Sequence, residues 1–410
     1  MITRSSRPLL AAVAALLVAG CFGAARPAAA DHKPPSHNAM KYLRRGDADL
    51  RDGYLDDAVH DYTRAIEADK HSPEGYIGRA DTYLRLRQYD LAIRDSTTAI
   101  EIDDRAAEAF VIRADAHEAQ GDLDKAIADD DRAIAIDPSL APAYERRGIL
   151  RFRRHAYDTA ASDFDETIRL RPRDATGYVL RGNARRAQGD INGAIDNYTA
   201  ALDRRPDDRV AYLNRGSCYA NLGDYRRAIV DYNHAIEIDP RAADGYYNRG
   251  SAYMAIGDDV AALEDYDSAL RRDPDYDKAR VGRGAVYFNQ GRRGEAIAEY
   301  RAALRRSPNN ASALADLGQA QYYDGDVDGA VDSLRRSLSI QPDRPRIRLY
   351  LGQAYALQGR RAEALDAIRA ALPYATLDER ESSRADVRAA IAANPRSLVL
   401  RDALDALYGR

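Results

Sequence analysis

Between Ala39 and Leu372 the small and apolar positions recur with a period of 34 residues and no insertion. Ten units begin at positions 39, 73, 107, 141, 175, 209, 243, 277, 311 and 345. Numbering each unit from slot 1 to slot 34, slot 20 is alanine in all ten, from Ala58 to Ala364. Slot 8 is glycine or alanine throughout, and slot 27 is alanine except at Thr167 and Ser337. Slots 4, 8 and 11 make one stripe of a first helix, and slots 20, 24 and 27 one stripe of a second. Small residues at slots 8, 20 and 27 let the two helices approach closely. Glycine at slot 15, as in Gly189, Gly223 and Gly257, stops the first helix, and aspartate at slot 16 of several units caps the second. Proline at slot 32 of seven consecutive units, Pro138 to Pro342, ends it. The pattern predicts an all-α chain of ten helical hairpins.

This spacing resembles the W-x2-L-G-x2-Y…A-x3-F…P signature of the tetratricopeptide repeat family, with tyrosine for tryptophan and often tyrosine for phenylalanine. The resemblance implies a solenoid: a right-handed superhelix of antiparallel helix pairs with a concave groove. Pro373 falls in what would be the last turn of the tenth second helix, so the ten units are assigned to residues 39–376. Residues 377–410 fit two more helices, about Leu377–Ala393 and Ser397–Tyr408, expected to cap the end of the array.

At slot 7 the family signature has leucine. Here units one to eight carry arginine: Arg45, Arg79, Arg113, Arg147, Arg181, Arg215, Arg249 and Arg283, followed by Leu317 and Leu351. Slot 23 is Asp61, Asp95, Asp129, Asp163, Asn197, Asp231, Asp265 and Glu299, then Ser333 and Ala367, so the acid disappears where the arginine does. A partly buried arginine needs a partner, and slots 7 and 23 come level in an antiparallel hairpin. The sequence therefore predicts one ion pair within each unit. Pairing to slot 23 of the preceding unit would orphan Arg45 and Glu299. A polyanion-binding arginine ladder is the rival reading, disfavoured because the acids track the arginines.

In this family slots 2, 5, 6, 9, 12 and 13 line the concave face. On them units one to three place Asp47, Glu74, Asp81, Glu108, Asp115 and Glu118, interrupted by Arg44, Arg51 and Arg85. Units five to ten place Asn183, Asn214, Asn221, Tyr247, Asn248, Phe288, Asn289, Tyr322, Tyr323 and Tyr350. Amides can hold an extended peptide backbone, and aromatics add contact area at low entropic cost. Asn214 and Asn248, both at slot 6, look like a short piece of the asparagine ladder of O-linked GlcNAc transferase, whereas the carboxylate clamp of Hsp90-binding repeats is not found.

The start of the chain carries a different signal. Arg4 and Arg7 precede an apolar run from Leu9 to Ala19, too short to span a bilayer as a helix and suited to an export signal. The run leads into Leu17-Val18-Ala19-Gly20-Cys21, which resembles the lipobox of bacterial lipoproteins; that resemblance implies a signal peptide over residues 1–20 and lipidation of Cys21. Ala28-Ala29-Ala30 offers a rival cleavage site that would leave a soluble periplasmic protein. The Pro- and Ala-rich residues 21–38 are expected to form a flexible tether.

Composition narrows the function. The chain of 410 residues is 31% charged with a formal net charge of only −4, which gives no basic face for nucleic acid. Cysteines number two, Cys21 and Cys218, so neither a disulfide framework nor a cysteine metal pair is expected. No two of the seven histidines lie four apart on one helix, and no nucleophile elbow or phosphate loop is present. The expectation is a scaffold or adaptor without enzymatic activity, metal or cofactor, facing the periplasm as a membrane-anchored lipoprotein and binding peptide segments of envelope proteins. A groove for an exported polysaccharide and a cytosolic scaffold are the alternatives.

Overall fold

A computed structural model describes residues 34–409, and among these all regular structure is helical. Repeats one to five comprise α1 (His37–Asp52) and α2 (Leu55–Ala68), α3 (Pro73–Arg85) and α4 (Tyr89–Ile102), α5 (Ala107–Gln120) and α6 (Leu123–Ile136), α7 (Ala141–Arg153) and α8 (Tyr157–Leu170), and α9 (Ala175–Gln188) and α10 (Ile191–Arg204). Repeats six to ten comprise α11 (Arg209–Asn221) and α12 (Tyr225–Ile238), α13 (Ala243–Ala255) and α14 (Asp259–Arg272), α15 (Asp277–Asn289) and α16 (Arg293–Arg306), α17 (Ala311–Asp324) and α18 (Val327–Ile340), and α19 (Pro345–Leu357) and α20 (Arg361–Ala371). Two further helices, α21 (Leu377–Ala393) and α22 (Leu398–Leu407), close the chain. The contacts define two compact units, one ending at Arg205 and the other beginning at Pro206. Within each unit the helices pack as consecutive antiparallel pairs, and successive first helices also touch each other. Second helices do not make such contacts with one another, so within each unit the first helices line the inner face.

Slot 15 takes the left-handed backbone conformation in all ten repeats. Eight carry glycine there, and Arg87 (φ 59°) and His155 (φ 62°) adopt it without glycine. Asp190, Asp224, Asp258 and Asp326 cap the helices that follow, each accepting from the backbone N–H three residues on.

The seam between repeats is set by the side chain at slot 24. A β-carbon on Gly148, Gly182, Gly216 or Gly284 would lie 2.6–2.8 Å from the ring of Phe164, Tyr198, Tyr232 or Tyr300 in the same repeat. Slot 8 is therefore glycine where slot 24 is aromatic. It becomes Ala80 and Ala114 in the two repeats where slot 24 shrinks to Ser96 and Asp130. The same ring presses on slot 6 of the following repeat: Gly78 sits against Tyr62, and a β-carbon on Gly282 would lie 2.6 Å from Tyr266.

The slot 7 arginines bridge two second helices. Nε and Nη2 of Arg79 donate to Asp95 of its own repeat at 2.6 and 3.0 Å, while Nη1 donates to Thr63 of the preceding repeat at 3.1 Å. Arg113 does the same with Asp129 (2.9 and 2.8 Å) and Thr97 (3.1 Å), and Arg249 with Asp265 (2.8 and 2.7 Å) and Asn233 (2.6 Å). Arg147 joins Asp163 to Asp131, Arg181 joins Asn197 to Asp165, and Arg283 joins Glu299 to Asp267. Arg215 holds Asp231 at 2.9 and 2.8 Å. Arg45, with no repeat before it, lies 3.0 Å from Asp61 and keeps 61% of its side chain exposed, against 13–22% for the others. In six of the repeats the guanidinium also lies over the slot 4 ring, 5.4–5.9 Å from its centroid. Pairing within the unit is thus half of the arrangement, because a guanidinium has five donors and one carboxylate uses only part of them. The second acceptor is slot 25 of the preceding repeat. In repeats eight and nine that slot becomes Arg301 and Arg335, and slot 7 of the next repeat becomes Leu317 and Leu351.

The two terminal helices do not simply continue the stack. α22 packs on α20, where an eleventh first helix would lie, and presents the buried stripe Leu400, Ala403, Ala406 and Leu407. α21 packs on α19 and α22 instead. Its apolar stripe is thin, with only Ser383 and Val387 buried, too little to cover the end of α20. At the other end α1 begins at His37, with Ser36 Oγ accepting from the Ala39 N–H, so helix starts inside the segment expected as tether. Cys21 and the signal-like residues 1–20 lie outside the described residues.

Replacing Asp265 by Ala leaves the Arg249 guanidinium without its carboxylate and should destabilise the array by about 3 kcal/mol in urea melts. Asn233→Ala, which removes only the neutral acceptor, should cost about 1 kcal/mol. Equal effects would show that the carboxylate is not the main anchor.

Candidate functional site

The inner face formed by first helices carries different chemistry in the two units. In repeats one to four the expected acids are engaged. Asp47 accepts from the Tyr62 hydroxyl at 2.8 Å, Asp81 pairs with Arg85 at 3.1 Å, and Glu118 pairs with Arg153 at 2.7 Å. Asp115 pairs with Arg146, whose Nε also donates to Asp130 at 3.0 Å. Arg146 is 6% exposed and Asp130 fully buried, so this is an ion triad embedded in the repeat seam. Burial pushes the Asp130 carboxyl up to about 6, against the opposing pull of Arg146. Three of the six expected acids, Asp81, Asp115 and Glu118, are therefore neutralised by arginines. Neither Arg146 nor Asp130 is among the residues the sequence pattern predicts for the site. Their signal was a charge at slot 6 following a charge at slot 24, where most repeats put an aromatic.

Four of the expected aromatics in repeats eight to ten come together. The Phe288 ring lies 5.8 Å from Tyr323, and Tyr322, Tyr323 and Tyr350 stand 5.2–6.1 Å apart by ring centroid. Tyr322 and Tyr350 were expected to be open to a ligand; they are buried. Tyr350 accepts from Gln319 Nε2 at 3.0 Å, and the Tyr323 hydroxyl donates to Asp386 of α21 at 2.9 Å. The chain's own helix thus covers this end of the face.

The amides divide too. Asn183 accepts from the Tyr198 hydroxyl at 2.7 Å, and Asn214 is 4% exposed, so the two-rung asparagine ladder is not available as such. Asn214 is buried and Asn248 half-buried. Asn221 and Asn289 are exposed. Between them the first helices of repeats six to eight present Leu213, Tyr247, Met254, Val281 and Phe288, all half-buried. Tyr247 packs 6.1 Å from Tyr266 and 5.4 Å from Tyr276 by ring centroid. Tyr247 and Phe288 of this apolar floor are residues expected in the groove, whereas Leu213, Met254 and Val281, on the same slots 5 and 12, complete it without having been predicted.

Among the described residues no cluster of His, Cys, Asp or Glu is placed to hold a metal, and Cys218 is buried. No described helix is long and apolar enough to cross a membrane.

Comparison with known proteins agrees with this architecture. The family described as Cilia and flagella-associated protein 70 C-terminal domain matches residues 172–390, and the tetratricopeptide repeat family matches residues 43–96 and 77–141. The chain belongs to the tetratricopeptide repeat family. The C-terminal part of a TPR repeat-containing protein from Cytophaga hutchinsonii superposes with a TM-score of 0.51 at 21% identity, over 58% of this chain and 98% of that one. A tetratricopeptide repeat protein from Parabacteroides merdae gives 0.44 at 17% identity, over 61% and 99%. YrrB, described as a TPR protein with an unusual peptide-binding site, gives 0.40 at 27% identity, over 45% and 95%. No curated protein matches the chain. The fold is that of tandem tetratricopeptide repeats.

Asp316, at slot 6 of repeat nine, provides a check on the seam. Burial pushes its carboxyl up to about 6, while Arg344 and Arg346 pull the other way. The folded state then holds a proton that the unfolded chain has released, so this group's contribution falls as pH rises from about 4 to 6. Asp316→Asn should raise the melting temperature at pH 7.5 and leave it nearly unchanged at pH 4. An equal shift at both values would exclude titration as the cause.

Proposed function

We propose that the protein is a non-enzymatic scaffold that binds protein segments along the inner face of repeats six to eight, exported to the cell envelope and held to a membrane through lipidated Cys21. The observation that carries the binding reading is the half-buried floor of Leu213, Tyr247, Met254, Val281 and Phe288, left open in repeats six to eight while α21 covers the corresponding face of repeats nine and ten. Aromatic and aliphatic side chains in a row offer burial to a partner, and Asn221 and Asn289 at the rim can meet its backbone. The pairing of Asp47, Asp81, Asp115 and Glu118 argues against the acidic end as the main attractor. The envelope assignment rests on the Leu17–Cys21 signal.

Peptides selected by display against the mature chain should lose about 2 kcal/mol or more of binding on Tyr247→Ala combined with Phe288→Ala, the scale of interface hot spots. The outer-face change Val260→Ala should leave them unaffected; the reverse result would place the partner on the outside. For the anchor, Cys21→Ser should release the protein from membranes and abolish labelling by a fatty-acid probe. A wild-type protein already soluble, with Asp31 as its first residue, would exclude lipidation.

A further inference from the structure

The inner face of repeats nine and ten already has an occupant, and that occupant shows what the face accepts. α21 lies against α19 with Ser383 and Val387 buried and Ala390 and Ile391 half-buried, a stripe at helical spacing. Asp386 accepts from the Tyr323 hydroxyl at 2.9 Å, and Arg384 donates to the Leu407 carbonyl at 3.2 and 2.9 Å. Arg380 donates to the Leu372 and Ala375 carbonyls and Arg388 to the Tyr408 hydroxyl, so most of the polar ties hold α21 to the preceding turn and to α22 rather than to the inner face, and its first residue, Leu377, is 72% exposed. The fit is also incomplete. Gln353, at slot 9 of α19, is 1% exposed, and among the described residues neither its amide nitrogen nor its oxygen has a hydrogen-bond partner. In repeats one, five and seven the slot 9 side chain receives the hydroxyl of the slot 24 tyrosine: Tyr62 to Asp47, Tyr198 to Asn183, Tyr266 to Ser251. In repeat ten slot 24 is Ile368, so the partner has to come from elsewhere, and α21 supplies none. An amide buried without a partner is costly, and a polar side chain that reached Gln353 would relieve that cost.

We infer that α21 is a displaceable internal ligand, and that the face of α17 and α19 beneath it is a docking groove for an amphipathic helix of another protein. The fitting helix has the chemistry α21 displays: small or aliphatic residues at i, i+4 and i+7, an acid just before the second of them, and in addition a polar side chain that meets Gln353. The Phe288–Tyr323 contact makes this groove continuous with the open floor of repeats six to eight. The inference rests on the reading that the inner face binds protein segments, and it changes the expected partner there from an extended strand to a helix.

The test uses the full mature chain and a fluorescein-labelled peptide of residues 375–395. In hydrogen exchange of the wild type, α21 amides should exchange at least 100-fold faster than those of α19 and α22. Gln353→Leu, which removes the orphaned amide only where it matters, should slow α21 exchange several-fold. Val387→Asp, which loosens α21, should let the peptide bind at least ten-fold tighter than it binds wild type, and adding Tyr323→Phe should weaken that binding several-fold. Concerted exchange of α21 with α19 and α22 would overturn the inference, and this result is decisive even where Val387→Asp unfolds. Equal peptide binding to wild type and to a folded Val387→Asp chain would overturn it too. Display-selected peptides that still depend on Tyr247 and Phe288 in that case would leave the scaffold reading standing alone.

Discussion

Seven guanidinium groups follow one another at slot 7 from repeat two to repeat eight, each half sheltered under an aromatic ring or between helices, and the register of the array depends on them. A leucine at this position would pack equally well against several neighbours. An arginine whose Nε and Nη2 hold a buried carboxylate, and whose Nη1 reaches the second helix of the preceding repeat, fixes both the hairpin and its neighbour in one geometry. A buried ion pair is a poor source of net stability compared with apolar packing, but breaking it is costly, and it specifies one arrangement over its competitors. The ladder stops when both acceptors disappear together, and aliphatic packing takes over in repeats nine and ten, where Leu317, Leu334, Leu349 and Leu351 are buried.

The second constraint is steric. A ring at slot 24 demands glycine at slot 8 of its own repeat and leaves room for only certain side chains at slot 6 of the next. This seam decides which first-helix positions remain for binding. Slot 6 is largely withdrawn into it, as Arg146 and Tyr350 show, and the open face is left to slots 5, 12 and 13 in repeats six to eight. Where the ring is replaced by Asp130, the seam becomes ionic and recruits Arg146, and the acid at Asp115 is drawn into the same triad. The face available to a partner is thus a by-product of how neighbouring repeats are sealed.

Repeats nine and ten extend this logic to the end of the chain. Without tyrosine at slot 24 their slot 9 glutamines look outward for partners; Gln319 finds Tyr350, whereas Gln353 finds none among the described residues. α22 supplies the apolar stripe that an array end requires, which leaves the weakly apolar α21 to lie on the inner face.

The period of 34 residues, the helix boundaries and the loss of arginine and acid in step were all legible along the chain, because each is a property of local spacing or of one residue type recurring at one slot. The slot 25 acceptors were equally regular, as was the exchange of glycine for alanine at slot 8, yet their meaning depended on which helices face each other across repeats. Burial of Asn214, Tyr322 and Tyr350 and neutralisation of the acidic rungs were decided only by tertiary structure. Slot numbers assign a side chain to a helix face, but whether that face meets solvent, the next repeat or α21 depends on neighbours distant in sequence. A thin apolar stripe such as Ser383 and Val387 does not encode by itself which surface it will cover.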